Sequence, residues 1–364
     1  PINLDDLEKN NMDSRTTALS VKTIKFLKKI RALSFIEKKL CPITNILVKE
    51  PSINATSYLN EIDDEKTLGY MIQNKFLISN FVKIVKRNRN IDKINDRIAG
   101  FKRDENFIEV YTNKNTFIKA RLLIGADGKH SSVRELAGIK YHKKDYNQKA
   151  FTFNIKHKNS HNNIAVENFL EKGPFASLPI VKENKNFHSS IVWSCNFPHY
   201  HEVNNNKHYF NLFLKKNLDE FYGKFRIITD IKSWDLQLIN AKDYVAHRIL
   251  LIGEAAHSIH PLAGQGFNLT VKGLERLYSI YNSCYSSKQD IGDLNILLKY
   301  YYRHYLDAKA LIFATDKLNT LFSNSNPILK IIRRNGIKVF NKNSVIKNLF
   351  KNYASKGKVK LRNL

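Results

Sequence analysis

Gly253-Glu254-Ala255-Ala256-His257-Ser258-Ile259-His260-Pro261-Leu262-Ala263-Gly264-Gln265-Gly266-Phe267-Asn268-Leu269 decides how this chain is read. A short, mostly apolar run from Arg248 to Ile252 precedes it and reads as a buried strand. Val271 to Leu277 follows and reads as the start of a helix. Gly253, Ala255 and Ala256 are small enough for something flat or extended to lie against the backbone. Gly264 and Gly266 fall where a helix presents unpaired N–H groups and the positive end of its dipole. Such a start accepts a phosphate or the anionic edge of a ring. Taken alone, the pattern also describes a plain strand–loop–helix connection with glycines for turning.

A second segment, Leu122-Leu123-Ile124-Gly125-Ala126-Asp127-Gly128-Lys129-His130-Ser131-Ser132-Val133-Arg134, shifts the balance. Another apolar strand ends here in an aspartate, whose carboxylate can accept hydrogen bonds from ribose or ribityl hydroxyls. Gly128 keeps the backbone open beside it, and Arg134 is the residue type that neutralises phosphate. The local alternative is an Asp-Gly turn followed by a helix-capping serine.

Together the two segments resemble those of the group A flavin-dependent aromatic hydroxylases, and within that superfamily the ubiquinone-biosynthesis hydroxylases. The resemblance extends through Asp13-Ser-Arg15-Thr-Thr-Ala-Leu19-Ser20, Leu68-Gly69-Tyr70-Met-Ile-Gln-Asn74, Glu167-x-Phe169, Gly173-Pro174-Phe-Ala176-x-Leu178-Pro179 and His260-Pro261 to Asn268, nearly the whole chain. It implies FAD as cofactor, NAD(P)H and O2 as co-substrates, and a polyprenyl phenol that gains one ring hydroxyl. By the same resemblance, Asp127, Gly128 and Arg134 lie near the pyrophosphate and the nicotinamide cofactor. Gly253, Glu254, Pro261, Gly264, Gln265, Gly266, Phe267 and Asn268 would hold ribityl and flavin ring, with Leu262 beside Pro261 at the reactive edge. Arg15 would contact phosphate or the adenine side, and Asn74 the ribityl chain. No side chain is expected to act as a nucleophile, so no catalytic residue is assigned.

The implied fold is α/β (α+β): a Rossmann-like FAD-binding domain interleaved with an antiparallel-sheet substrate domain, followed by C-terminal helices. The expected division is 1–148 and 241–290 for the FAD-binding parts, 149–240 for the substrate sheet, and 291–364 for the helical region. The family opens with Gly-x-Gly-x-x-Gly after its first strand, whereas the first glycine here is Gly69. The first βαβ unit, about 35–45 residues, is therefore expected to be missing from this sequence. Glu254 stands where the family has Asp, and Thr270 and Gly273 replace a small residue and an Asp. These departures keep a second expectation open: a truncated, non-catalytic homologue or an assembly partner of such an enzyme.

The chain has 364 residues, 43% of them hydrophobic and 11% aromatic, enough for two subdomains and a large core. Cys41, Cys195 and Cys284 are widely separated and form no metal or redox motif, which suggests a reducing, cytoplasmic setting. No apolar run approaches the length of a membrane span. The net charge of +27 is spread through a chain rich in Lys, Asn and Ile, the composition an AT-rich genome produces. No zinc motif or aromatic–basic repeat points to nucleic acid. After Asp316 no acid follows, and Lys330, Arg333, Arg334 and Lys338 are mixed with Ile328, Leu329, Ile331 and Ile332. Two readings stand for that stretch: a solvated basic helix pair, or contact with an inner-membrane surface and a ubiquinone-biosynthesis complex.

Local patterns supply the rest. Ser20 reads as an N-cap before a helix carrying Val21, Ile24, Leu27, Ile30 and Leu33. Asn74 reads as the cap of a second helix, its alternative to a ribityl contact, and Arg15 as a surface salt bridge, its alternative to a phosphate contact. Ile43 to Val48 reads as one strand, and Phe107–Tyr111 with Phe117–Ile124 as a hairpin. From Lys149 to Ile239 the pattern is alternating and aromatic, with one helix near Tyr209 to Phe221. His257 and His260 read as packing and hydrogen-bonding residues, with no metal expected.

Overall fold

A computed structural model describes residues 13–51, 55–60, 67–170, 172–183, 186–261 and 264–322. Among the described residues the chain divides into two compact units: those within 89–146 and 237–317 form one, and those within 13–88, 147–236 and 318–322 the other. Residues 13–88, expected with the FAD-binding part, therefore group with the antiparallel sheet. The reason is strand pairing: Asn45–Glu50 runs parallel to Ile164–Leu170 and antiparallel to Ala55–Asn60.

In this second unit the aromatic alternation makes a sheet by giving the strands one mostly apolar face. The later part of Tyr141–His157 pairs with Asn186–Asn196, which pairs with Gly173–Glu183, which pairs with Ile164–Leu170, all antiparallel. Phe151, Phe153, Ile155 and Trp193 point to one side, against Phe210, Leu214 and Leu218 of the helix Lys207–Tyr222. The indole of Trp193 stacks on Phe213 at 3.8 Å, burying large area with little rotamer entropy to lose. On the other side, Cys41, Ile43 and Met71 pack against Ala165 and Ile180. They belong to a small sheet of Thr16–Ser20, Gly69–Gln73 and Cys41–Ile43.

In the first unit, Ile98–Arg103, Ile108–Thr112 and Phe117–Ala120 form an antiparallel meander. Ile249–Leu251 pairs with Leu123–Gly125 in parallel and with Val245–Ala246 antiparallel. Two long helices, Gly266–Ser286 and Leu294–Phe322, close over this sheet, with Leu277, Ile280, Leu297 and Tyr300 packed on Val245 and Leu250.

Several local readings change. Ser20 does cap Val21–Lys29, its hydroxyl accepting from the Thr23 N–H at 3.1 Å, but that helix ends before Leu33. The strand read as Ile43–Val48 is two strands in different sheets, broken at Thr44, whose N–H turns to the Asn163 carbonyl. The second hairpin arm likewise splits after Ala120, because the Arg121 carbonyl is taken by the guanidinium of Arg248 at 2.9 Å. The helix read near Tyr209 to Phe221 is Lys207–Tyr222, capped by the Asn206 side chain, and a second helix that was not expected, Phe197–Asn205, precedes it. Pro327 to Tyr353 and the basic stretch within it lie outside the described residues.

Candidate cofactor site

Leu123–Gly125 and Ile249–Leu251 are parallel and in register, Gly125 opposite Leu251. Their carboxyl ends therefore release Ala126-Asp127 and Ile252-Gly253-Glu254 side by side, and the Ile252 N–H donates to the Gly125 carbonyl at 2.9 Å. In open α/β sheets ligands bind at such carboxyl ends. The two distant sequence segments thus meet in one place within one unit.

The aspartate turn builds a helix start first. Asp127 accepts from the Ser131 hydroxyl at 2.5 Å and from the Val133 N–H at 3.1 Å, and Ser131 accepts from the Arg134 N–H at 3.0 Å. The capping alternative is thus realised, yet Asp127 remains exposed and its carboxylate keeps further lone pairs. Gly128 at φ 81° and Gly253 at φ 59° occupy the left-handed region that other residues enter only with strain. They fix how the chain leaves each strand.

Arg134 requires a correction. Expected to neutralise phosphate, it is 1% exposed. Its guanidinium donates to the carbonyls of Ala255 and Lys129, both at 2.9 Å, and lies 4.2 Å over the ring of Tyr141. It ties the two loops together and does not reach outward. No signal in the sequence marked Ala255 or Tyr141 as its partners.

Beyond Gly253 a short 3-10 turn buries Ala255 and Ala256 completely and leaves Glu254 exposed, without a hydrogen bond or ion pair among the described residues. His257 then turns inward. Its Nε2 lies 3.0 Å from Nε2 of His304 on the helix Leu294–Phe322, so the pair shares one proton. Burial pushes His257 down to about 4 and His304 lower still, the latter also disfavoured by His257, Arg276 and Lys272. Gly273 explains itself here: a Cβ would come within 2.9 Å of His304 and of the Tyr300 hydroxyl. His304 fills the space beside Gly273, a partnership between positions too far apart in sequence to be read from it. His260 meets Tyr146 edge-on at 5.0 Å. Among the described residues no group of three or more His, Cys, Asp or Glu could hold a metal ion.

The loop closes on a helix end. Gly264 donates to the Pro261 carbonyl at 2.9 Å, and Gly266–Ser286 begins without a side-chain cap and without an acid in its first turn. Gly264, Gln265, Gly266 and Phe267 are half-buried, Asn268 is buried and Pro261 exposed; Leu262 and Ala263 lie outside the described residues. Thr270, one turn into the helix, bonds to the Gly266 carbonyl at 3.2 Å and is the neighbour a Cβ on Gly253 would meet at 3.5 Å. The strand-end turn and the helix start are therefore adjacent. Uncapped N–H groups, two exposed carboxylates and no competing acid suit a ligand carrying both hydroxyls and negative charge.

Arg15 and Asn74 belong to the other unit. Arg15 is paired with Asp13, Nε to Oδ1 at 2.9 Å and Nη2 to Oδ2 at 2.8 Å, and lies 4.6 Å over Trp234. The salt-bridge reading therefore describes its contacts. Asn74 is not the cap that was expected. It is the first residue of Asn74–Arg87, Gln73 preceding it as cap without a side-chain bond, and its Oδ1 accepts from the Thr17 hydroxyl at 2.6 Å.

A family model described as an FAD binding domain matches residues 94–290. Ubiquinone hydroxylase UbiL of Rhodospirillum rubrum is 29% identical over 352 residues, spanning 94% of this chain and 79% of the relative. The 3-demethoxyubiquinol 3-hydroxylase of Escherichia coli is 26% identical over 291 residues, 79% of this chain and 73% of the relative. Among solved structures, Pseudomonas aeruginosa PqsL in complex with 2-aminobenzoylacetate aligns with a TM-score of 0.73 at 17% identity, covering 89% of this chain and 88% of that one. Klebsiella pneumoniae HpxO complexed with FAD and uric acid aligns at 0.70 and 12%, covering 93% and 87%. At these identities the structures show a shared fold.

Proposed function

The chain belongs to the FAD binding domain family, matched over residues 94–290, and from that premise we propose that it is an FAD-dependent monooxygenase hydroxylating the ring of a polyprenyl phenol in ubiquinone biosynthesis, with NAD(P)H and O2 as co-substrates. The observation that carries this reading is the adjacency of the two strand-end turns and the uncapped helix start at Gly266. The relatives named for ubiquinone hydroxylation supply the substrate class.

Bound FAD supplies the redox chemistry, passing two electrons from NAD(P)H to O2 so that one oxygen enters the ring and the other leaves as water. The chain's own residues bind and orient. Asp127 and Glu254 accept ribityl or ribose hydroxyls, with Gly128 and Gly253 leaving the backbone open beside them. The N–H groups at Gly264 to Asn268 face negative charge on the ring, and Pro261 lines the approach. Arg134 braces the turn. Glu254 is one methylene longer than the family's Asp and is exposed, so it can retract to hold the same hydroxyl.

No helix among the described residues is long and apolar enough to cross a membrane. A peripheral contact fits the outer face of Leu294–Phe322. Tyr302, Leu306 and Phe313 are 62%, 70% and 65% exposed there, flanked by exposed Lys299, Arg303, Lys309 and Lys317. Apolar side chains bordered by cations suit an anionic bilayer surface, where a prenylated substrate resides, with the protein on the cytoplasmic side.

The test is reconstitution. Protein incubated with FAD should turn yellow, and a short-chain prenylphenol should stimulate NAD(P)H-dependent O2 uptake and gain one oxygen by mass spectrometry. Flavin uptake without a hydroxylated product would leave a binding homologue and end the enzymatic reading. Sedimentation with anionic vesicles, falling with salt and absent with neutral ones, tests the surface contact; lipid-independent behaviour rejects it.

A further inference from the structure

The proposed substrate wall contains one carboxyl that the cofactor site does not use. Glu167 lies on the strand Ile164–Leu170, and the side it faces is fixed by its neighbours. Leu170 packs with the Trp193 cluster, and on the next strand Ser177 bonds Tyr222 of the covering helix at 2.7 Å. Side chains alternate along strands, so Glu167 and Ala176, which are paired, point to the opposite side. Val192 and Thr152 continue the same row, and Val48 flanks Glu167 from the other direction.

The surroundings are apolar and shallow. Val48 and Ala176 stand across from Glu167, and Ala165 and Phe169 lie before and after it on its own strand. Glu50, the other carboxyl nearby, is a diagonal neighbour beside Phe169 and is 1% exposed. Ala176 gives the row a low floor between the half-buried Val192 and Glu167. Glu167 is itself half-buried and has no hydrogen bond or ion pair among the described residues. Burial pushes its carboxyl up to about 7. At the far end of the row, Thr152 accepts the indole N–H of Trp234 at 3.1 Å, and Arg15 stacks on that indole. The row thus runs from an unpartnered carboxyl to the stacked pair of Trp234 and Arg15.

We propose that Glu167 is the specificity-determining residue of this wall, accepting the hydrogen bond of the substrate's aromatic hydroxyl while Val48, Ala176 and Val192 contact the ring. The assignment rests on the proposed phenol chemistry. An apolar wall holds a ring by area, without orientation; one acceptor fixes which ring edge carries the hydroxyl, because an unpaired hydroxyl buried there would be costly.

The experiment is equilibrium binding to the FAD-loaded protein of two probes, 2-prenylphenol and its O-methyl ether, which differ only in the donor. At about pH 9, where a carboxyl raised to about 7 is ionised, wild type should prefer the phenol by roughly tenfold or more, as for a hydrogen bond to a charged acceptor. Glu167→Leu should bring the ratio near one by weakening only the phenol, and Glu167→Gln, which keeps a neutral acceptor, should retain part of it. If the leucine variant fails to fold, the glutamine variant decides: an undiminished ratio there overturns the assignment. A wild-type preference that survives in Glu167→Leu overturns it alone. FAD-loaded wild type that binds neither probe overturns the phenol reading together with it.

Discussion

The two ends of one strand pair, Leu123–Gly125 with Ile249–Leu251, are built on opposite plans. At the amino end the buried Arg248, at φ 59°, donates to the carbonyls of Arg121 and Glu105, both at 2.9 Å, and to Asp290 at 2.6 Å. A cation, a carboxylate and two carbonyls satisfy one another there. At the carboxyl end the buried Arg134 is spent on carbonyls alone, and the carboxylates nearby, Asp127 and Glu254, stay exposed. One end is closed for stability; the other leaves acceptors exposed, where the proposed ligand would use them. Both plans need a buried arginine, so burial of charge does not by itself mark a site. What marks it is which acceptors are left over.

Replacing each arginine with methionine, which keeps length and loses the donors, should separate the two plans. Arg248→Met strands two carbonyls and a carboxylate that is one-third exposed. Water can reach the carboxylate, so the loss should sit at the lower end of the range for broken buried pairs, about 3 kcal/mol. Denaturant unfolding measures it, and FAD affinity of the folded fraction should not change. Arg134→Met should cost less in stability, about 2 kcal/mol for two charge-assisted bonds. It should weaken FAD binding more than unfolding accounts for, because the Ala255 turn loses its tether. Equal effects of both variants on FAD affinity would erase the distinction between the ends.

Much of the open end was legible because its chemistry is written in consecutive residues. The Gly253–Asn268 and Asp127–Arg134 segments each carry strand, turn and helix start within a few positions, and periodicity suffices to place them. The aromatic alternation around Phe151 and Trp193 was legible for the same reason. The closed end was not, because Glu105, Arg121, Arg248 and Asp290 come from four separate places and none has a pattern of its own. The same limit hid His304 behind Gly273, and led Arg134 to be read as a phosphate ligand when its partners are backbone carbonyls. Strand breaks at Thr44 and Arg121 escaped because a continuous apolar run does not say where the chain changes sheets. Asn74 was misjudged by one position, a helix boundary that caps alone do not fix.

Acid should open the two ends in sequence. His257 and His304 are held neutral below the ordinary histidine value, so the unfolded chain takes up their protons first, as pH falls through about 6.5. Their stabilisation is present above that pH and declines as pH drops toward the folded value of His257, about 4. Asp290 is held below the usual carboxylate range by the Arg248 hydrogen bond first of all. Its contribution is present above about 3.9 and is lost only below, as pH falls through its folded value. Other buried histidines, including His157 and His260, add to the total slope, so differences between proteins are what count. Between pH 7 and 5, wild type should lose about 2 kcal/mol more stability than His304→Phe, whereas its advantage over Asp290→Asn should stay constant until near pH 4. Parallel curves for wild type and His304→Phe over that interval would mean that the histidine pair is solvated, and that the loop at the open end is not anchored through it.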